Sequence, residues 1–206
     1  MKFLVFSDSH DNIERLTKAL ELANKESVDK IFFCGDLVSP FTISLITGKL
    51  GKNVKFIGVW GNNEGDRDTI ILRSENLSYG RDVVITNLDN YRLLMLHGVD
   101  DIETTEILVK SLLKSLDYDI ILFGHTHRAK LIVIGKETRE IREINILEIL
   151  QSQKHPKEFV IDLSKEAVAV NPGELCGYLS GISTVTILHI NGQKLGIRYI
   201  RIDSSA

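Results

Sequence analysis

Lys2-Phe3-Leu4-Val5-Phe6-Ser7-Asp8-Ser9-His10 runs apolar for four residues, reaches a small residue and then presents two metal-capable side chains. The next stretch, 11–25, carries Ile13, Leu16, Leu20 and Ala23 at helical spacing. A second apolar run, 30–34, then ends in Gly35-Asp36. Two apolar runs joined by a helix, without a hairpin turn between them, read as parallel strands with a crossover. The unit recurs: a helix at 42–50, with Ile43 and Ile46 on its apolar face, leads to a third strand at 54–59. A weaker helix is expected at 66–74.

Further along, runs at 83–88 and 91–96 flank Asp89-Asn90, a pair that tolerates the positive φ of a two-residue hairpin, so the sheet turns antiparallel there. A helix at 103–116, with Ile107, Leu108, Ser111 and Leu112 on one face, feeds a strand at 120–123. Strands are expected at 130–134, 159–163, 167–170, 183–190 and 195–202, the last two flanking Asn191-Gly192. The pattern implies an α/β fold in which two mixed β-sheets pack face to face and helices flank them. Residues 1–206 read as one domain. Within it the charge-rich stretch 136–157 reads as a helical insertion, because Ile141, Ile144, Leu147 and Leu150 recur every three residues. It is expected to pack on its own domain rather than serve as a dimer contact or a lid.

Composition narrows the function classes. Lys and Arg number 25 against 28 Asp and Glu, a net charge of −3 that offers no general attraction to a long nucleic acid or an anionic membrane. The first residues lack a signal-peptide core and no run is long enough to span a bilayer, so a cytoplasmic location is expected. Cys34 and Cys176 are too few for a disulfide framework, and Cys34 sits in an apolar run as a small hydrophobe. No Gly-x-Ser-x-Gly elbow is present, and neither cysteine has a nearby His in sequence, which disfavours a serine or cysteine hydrolase.

The chemistry lies in a repeated grammar. Five apolar runs end at a small or Gly residue, or directly at a metal-capable side chain: Asp8-Ser9-His10, Gly35-Asp36, Gly61-Asn62-Asn63-Glu64, His97-Gly98 and Gly124-His125-Thr126-His127. Any one of these is ordinary turn or capping chemistry. Together they hold four of the six His residues, His155 and His189 lying outside. Carboxyl ends of strands in open α/β sheets form ligand crevices, so these five ends can deliver their side chains to one locus. The i, i+2 spacing of Asp8 with His10 and of His125 with His127 points each pair one way in extended backbone. Oxygen with imidazole nitrogen suits Mn, Fe, Co, Ni or Zn and suits Ca poorly.

The set Asp-x-His, Gly-Asp, Gly-Asn-x-Glu, His-Gly and Gly-His-Thr-His, in that order, resembles the calcineurin-like metallophosphoesterase superfamily, and most of all its small bacterial and archaeal phosphodiesterases. Asn171-Pro172-Gly173 echoes a late element of that family. The resemblance implies a four-layer αββα sandwich and a hydrolase of phosphoric esters. It implies two divalent ions, manganese first among the candidates, with Asp8, His10, Asp36 and His127 around one and Asp36, Asn62, His97 and His125 around the other. Asp36 would bridge the pair, and a metal-bridging hydroxide would attack phosphorus. Asp36, Asn62 and His97 are thereby the catalytic candidates.

Arg128 is a candidate contact for a substrate phosphate. Glu64 is expected either to orient Asn62 or a ligand His, or to start the next helix. Larger relatives carry a general-acid His where this chain has Asn63, whose amide donates no proton in catalysis, so diesters and activated esters should turn over in preference to alkyl monoesters. The substrate is read as a small phosphate ester. Two rival readings share the fold and are separable by experiment: a non-catalytic interaction scaffold, and a nuclease. Self-association is left open.

Overall fold

The computed structural model describes residues 1–75, 77–152 and 158–202. In chain order the elements are β1 (Lys2–Phe6), α1 (Ile13–Lys25), β2 (Lys30–Phe33), α2 (Pro40–Lys49), β3 (Lys55–Val59), α3 (Arg67–Arg73) and β4 (Ser78–Arg81). Then come β5 (Val83–Leu88), β6 (Tyr91–Leu96), α4 (Ile102–Ser115), β7 (Ile120–Leu122), β8 (Lys130–Gly135), β9 (Ile141–Asn145) and α5 (Ile146–Gln151). The chain finishes with β10 (Phe159–Asp162), β11 (Glu166–Asn171), β12 (Thr184–Asn191) and β13 (Lys194–Arg201).

Seven strands form one sheet in the order β10-β13-β12-β1-β2-β3-β4, and six form a second in the order β5-β6-β7-β11-β8-β9. β1 to β4 run parallel, as crossovers through α1, α2 and α3 require, and β12 joins β1 antiparallel. In the second sheet β6, β7 and β11 are parallel. Alternation along each strand sends one set of side chains between the sheets and the other under the helices. Phe3, Val5 and Phe32 meet Leu93, Met95, Leu131 and Val168 in the central layer. Leu4, Phe6, Ile31 and Phe33 pack instead under Leu16, Leu20, Ile43 and Ile46 of α1 and α2. Leu94, Ile121 and Ala169 pack under Val109 and Leu113 of α4. These layers are the four-layer αββα sandwich that the sequence implies.

The β5–β6 hairpin forms at Asp89-Asn90 with Asp89 at φ 53°. The last hairpin turns one residue later than expected: Asn191 still pairs with Lys194, and Gly192, at φ 59°, supplies the left-handed corner with Gln193. Two expectations are corrected. Residues 141–145 are strand β9, paired with β8, and only 146–151 are helical, because Ile134 and Leu131 offer Ile141 and Ile144 cross-strand partners. The part of the expected insertion at 153–157 lies outside the described residues. In α4 the buried face is Thr105, Val109 and Leu113, whereas Ile107 is 58% exposed.

Candidate metal centre

Five parallel strands end on the same edge of the sandwich, and their loops carry the expected side chains. Asp8 and His10 follow β1, Asp36 follows β2, Asn62 follows β3, His97 follows β6, and His125 and His127 follow β7. Backbone hydrogen bonds zip these loops together. The Asp8 N–H donates to the Gly35 carbonyl at 2.9 Å, the His10 N–H to the Asp36 carbonyl at 3.1 Å and the Gly124 N–H to the His97 carbonyl at 2.9 Å. The Leu175 and Cys176 N–H groups, just after β11, donate to the carbonyls of Ser7 and Asp8, so the two sheets are joined at the site.

The backbone here is not extended. Asp8, His10, Asp36, His125 and His127 all have positive φ, between 41° and 66°. The expectation that pleated i, i+2 spacing aims the pairs is therefore corrected: left-handed turns aim them. Such a conformation is disfavoured for a residue with a Cβ, and it persists only where surrounding contacts fix it.

Asp8, His10, Asp36 and His127 each offer a donor atom, and these atoms lie within 4.8 Å of one another. His10 Nε2 is 3.4 Å from Asp36 Oδ2, and His127 Nε2 is 3.4 Å from Asp8 Oδ1. The His10 and His127 rings stack at 5.3 Å. Asp8 Oδ1 and His10 Nε2 are buried and lack a hydrogen-bond partner among the described residues. A buried carboxylate oxygen left unpaired is costly, and a cation at this point removes the cost. The residues present therefore fit a divalent ion with mixed oxygen and nitrogen donors.

A second group adjoins the first through Asp36. His97 Nδ1 lies 2.7 Å from the Cys34 carbonyl and must carry the hydrogen there, which leaves Nε2 as a lone pair when the ring is neutral. His125 Nε2 is likewise committed to the Asp100 carbonyl at 2.8 Å, leaving Nδ1 as the lone pair. Both lone pairs point at Asn62 Oδ1, each at 2.9 Å, and they stand 3.3 Å apart. Asp36 Oδ1 is 3.5 Å from His97 Nε2. Four acceptors facing one another call for a positive charge. In the metal-free state a proton on His97 Nε2 supplies it, donating to Asn62 Oδ1.

The titration behaviour tells the same story. Burial works against charging His97, but Asp36 and Asp8 outweigh it and raise its pKa to about 9. Burial likewise opposes ionising Asp36, yet His97 and two hydrogen bonds from Asn63 hold its carboxyl well below the usual range. Asp8, fully enclosed, is pushed up by burial.

Around these groups stand residues that hold them in place. Glu64 neither starts α3, which Asp66 caps, nor touches Asn62 or a His; its carboxylate accepts the N–H groups of Asp36, Leu37, Val38 and Gly61 at 3.0 to 3.3 Å and the Tyr79 hydroxyl at 2.6 Å. It staples the loop after β2 to the loop after β3. Asn63 grips Asp36 with its backbone N–H and its amide, both at 2.8 Å. Asn171 donates to the Gly124 carbonyl and the Thr126 hydroxyl, fixing the loop of His125 and His127.

Glu174 went unnoticed in the sequence. It is fully buried, and Oε2 accepts from His127 Nδ1 at 2.9 Å, so His127 turns Nε2 toward Asp8. Burial opposes its charge, but His127, Cys176 and Ser180 outweigh that and hold its pKa at about 2. Its position directly after Asn171-Pro172-Gly173 was the available signal. Cys176, whose thiol donates to Glu174 at 3.0 Å, also stands beside His10 and His127. Arg128 is exposed, and its guanidinium has no partner among the described residues.

A family model described as the calcineurin-like phosphoesterase superfamily domain matches residues 1–193. A phosphodiesterase of Methanocaldococcus jannaschii is 30% identical over 193 residues, covering 91% of this chain and 92% of that protein. The solved structure of an archaeal phosphodiesterase superposes with a TM-score of 0.69 at 27% identity, covering 98% of this chain and 99% of the other. Vps29 of Chaetomium thermophilum shares the fold, with a TM-score of 0.60 at 14% identity over 99% of this chain and 90% of its own.

Proposed function

This chain belongs to the calcineurin-like phosphoesterase superfamily, and from that premise we propose that it hydrolyses small phosphodiesters at a two-metal centre. The observation that carries the reading is the meeting of Asp8, His10, Asp36 and His127 within 4.8 Å, with unpaired buried donors among them. In the proposed division these four hold one ion, while Asp36, Asn62, His97 and His125 hold a second, with Asp36 shared. Divalent ions there, manganese before nickel, iron, cobalt or zinc, would supply Lewis-acid charge and lower the pKa of water toward about 7.

The chain's own residues then divide the work. Asn62, exposed at the mouth, faces an incoming phosphoryl group with its amide. Arg128 offers a guanidinium fork to a phosphate oxygen. Glu174 keeps His127 Nε2 turned inward, and Glu64 with Asn63 keeps Asp36 in place. Asn63 is fully engaged with Asp36 and has no proton to give a departing alkoxide, which favours diesters and activated leaving groups. Cys34 and Cys176 are both free and buried, in keeping with a reducing, cytoplasmic setting.

The test is hydrolysis of bis(p-nitrophenyl) phosphate by metal-stripped protein after adding manganese or nickel, with His97→Ala alongside. Restored turnover that the variant lacks supports the reading. A folded protein inactive with every metal would reverse it in favour of a binding scaffold. Turnover confined to oligonucleotides, weakening steeply with salt, would make it a nuclease.

A further inference from the structure

A trough of about 610 Å³ opens directly beside Asn62 and His97, within the usual size of a small-molecule site. Its origin is geometric. One helix about 10 Å across covers roughly two strands spaced about 4.8 Å apart. α4 lies over β11 and β8 and reaches Leu94 and Leu96 of β6, which leaves β5, at the edge of the six-stranded sheet, without a cover. Val83 pairs with Leu96 and Ile85 with Leu94, so all four side chains stand on one face, Leu94 and Leu96 buried against α4 and the β5 pair left open. Leu108 and Leu112, on the flank of α4, form the opposite wall. Val83 and Ile85 remain 46% and 50% exposed.

The lining contains one carboxylate, Asp82, and no Lys or Arg among the described residues. Apart from His97 at the phosphoryl end, the lining itself offers a second phosphate or a sugar–phosphate chain no cation, the nearby guanidiniums of Arg67 and Arg92 being laid over the Trp60 and Tyr118 rings at 5.1 and 5.0 Å. We propose that this trough seats an uncharged hydrocarbon ester substituent of the substrate, an alkyl or aryl group, while the phosphoryl group meets Asn62 and His97. The enzyme would then act on diesters with one apolar arm. This rests on the phosphodiesterase reading and narrows its substrate class. Burial of a methylene in an open trough recovers about half the free energy of full burial, which corresponds to roughly twofold in affinity per methylene.

The experiment compares methyl- and hexylphosphonate binding to the manganese-loaded protein, read by emission of Trp60, the chain's single tryptophan and a lining residue. In parallel, kcat/KM is measured for p-nitrophenyl methyl and p-nitrophenyl hexyl phosphate. Five extra methylenes should bring roughly thirtyfold in both readouts. Ile85→Asp and Val83→Asp, at exposed strand positions, should flatten that dependence, whereas Val160→Asp, equally exposed on a distant edge strand, should keep it. Equal binding and equal turnover of methyl and hexyl compounds would overturn the inference and leave the phosphodiesterase reading intact. Failure of both esters and both phosphonates would remove the reading and the inference with it. A dimer that Ile85→Asp dissociates, with no chain-length effect, would reassign the trough to a second copy of the chain.

Discussion

Replacing Glu64 with Gln tests whether the staple between the β2 and β3 loops sets the geometry of Asp36. The carboxylate has two acceptor oxygens: Oε1 takes Asp36, Leu37, Gly61 and Tyr79, and Oε2 takes Leu37 and Val38. A Gln amide keeps one acceptor and turns the other into a donor. If nitrogen replaces Oε2, the N–H groups of Leu37 and Val38 face another donor; if it replaces Oε1, those of Asp36 and Gly61 do. At least two charge-assisted hydrogen bonds are lost either way, each worth about 1.5 to 3 kcal/mol. The site is half-buried and water replaces part of that, so the low end applies, about 3 kcal/mol in all. For a domain of this size that is roughly 6 to 12 °C in Tm. Asp36 at φ 64° also loses its restraint, so manganese should bind roughly 10- to 100-fold more weakly. Thermal unfolding without metal and calorimetric titration with manganese give the two numbers separately. A Glu64→Gln protein whose Tm moves by less than about 2 °C and whose manganese Kd is unchanged would refute the staple argument.

Glu174→Gln should weaken manganese binding by roughly 10- to 100-fold, because His127 Nδ1 loses its charged acceptor; unchanged affinity by calorimetry would show that the ring is held by other contacts. Gly61→Ala should abolish metal uptake, since a Cβ there collides with the carboxylate and backbone nitrogen of Asp36; a variant that binds manganese normally by equilibrium dialysis contradicts this. Asp36→Ala removes the shared carboxylate and should reduce two bound ions to one at most, as counted by elemental analysis. His97, charged up to about pH 9 in the metal-free protein, must lose its proton to bind a cation, so manganese binding at pH 7 should release about one proton from this group and none near pH 10, read from buffer-dependent heats. The sign for stability follows. The raised pKa stabilises the metal-free protein fully below about 6.5, and that contribution fades as pH rises through about 9. Flat metal-free stability across that window would count against it.

The layers and the converging strand ends were legible because apolar runs and their punctuation are local signals. Phe3 to Phe6 and Ile31 to Phe33 are apolar on both faces, and the structure shows why: each strand is covered on one side by the other sheet and on the other by helices. What escaped depends on partners distant in sequence. β4 contains Tyr79, Gly80 and Arg81, with no apolar run, and forms because β3 offers an open edge. Residues 141–145 carry a three-residue spacing that fits a helix, but pairing with β8 prevails over local periodicity. α4 buries Thr105 rather than Ile107 because the sheet lies on that side, and Thr105 is satisfied there by Val99.

At the site, which side chains converge was legible and how they are aimed was not. Side-chain type and order could be read from five short segments, yet the left-handed conformations of Asp8, His10, Asp36, His125 and His127 come from contacts between loops. The two Glu residues nearest the centre illustrate the division. Neither Glu64 nor Glu174 is in the four-residue donor cluster; Glu64 turns its carboxylate toward backbone N–H groups of the loop after β2, and Glu174 toward N–H groups further along its own loop and toward Cys176, Ser180 and His127. A carboxylate can saturate four or more donors at once, so one buried acid fixes an entire loop where neutral side chains would fix one or two groups. Strain at these five left-handed residues is thus held by hydrogen bonds one layer out, and weakening that layer should disturb metal binding before it unfolds the sandwich.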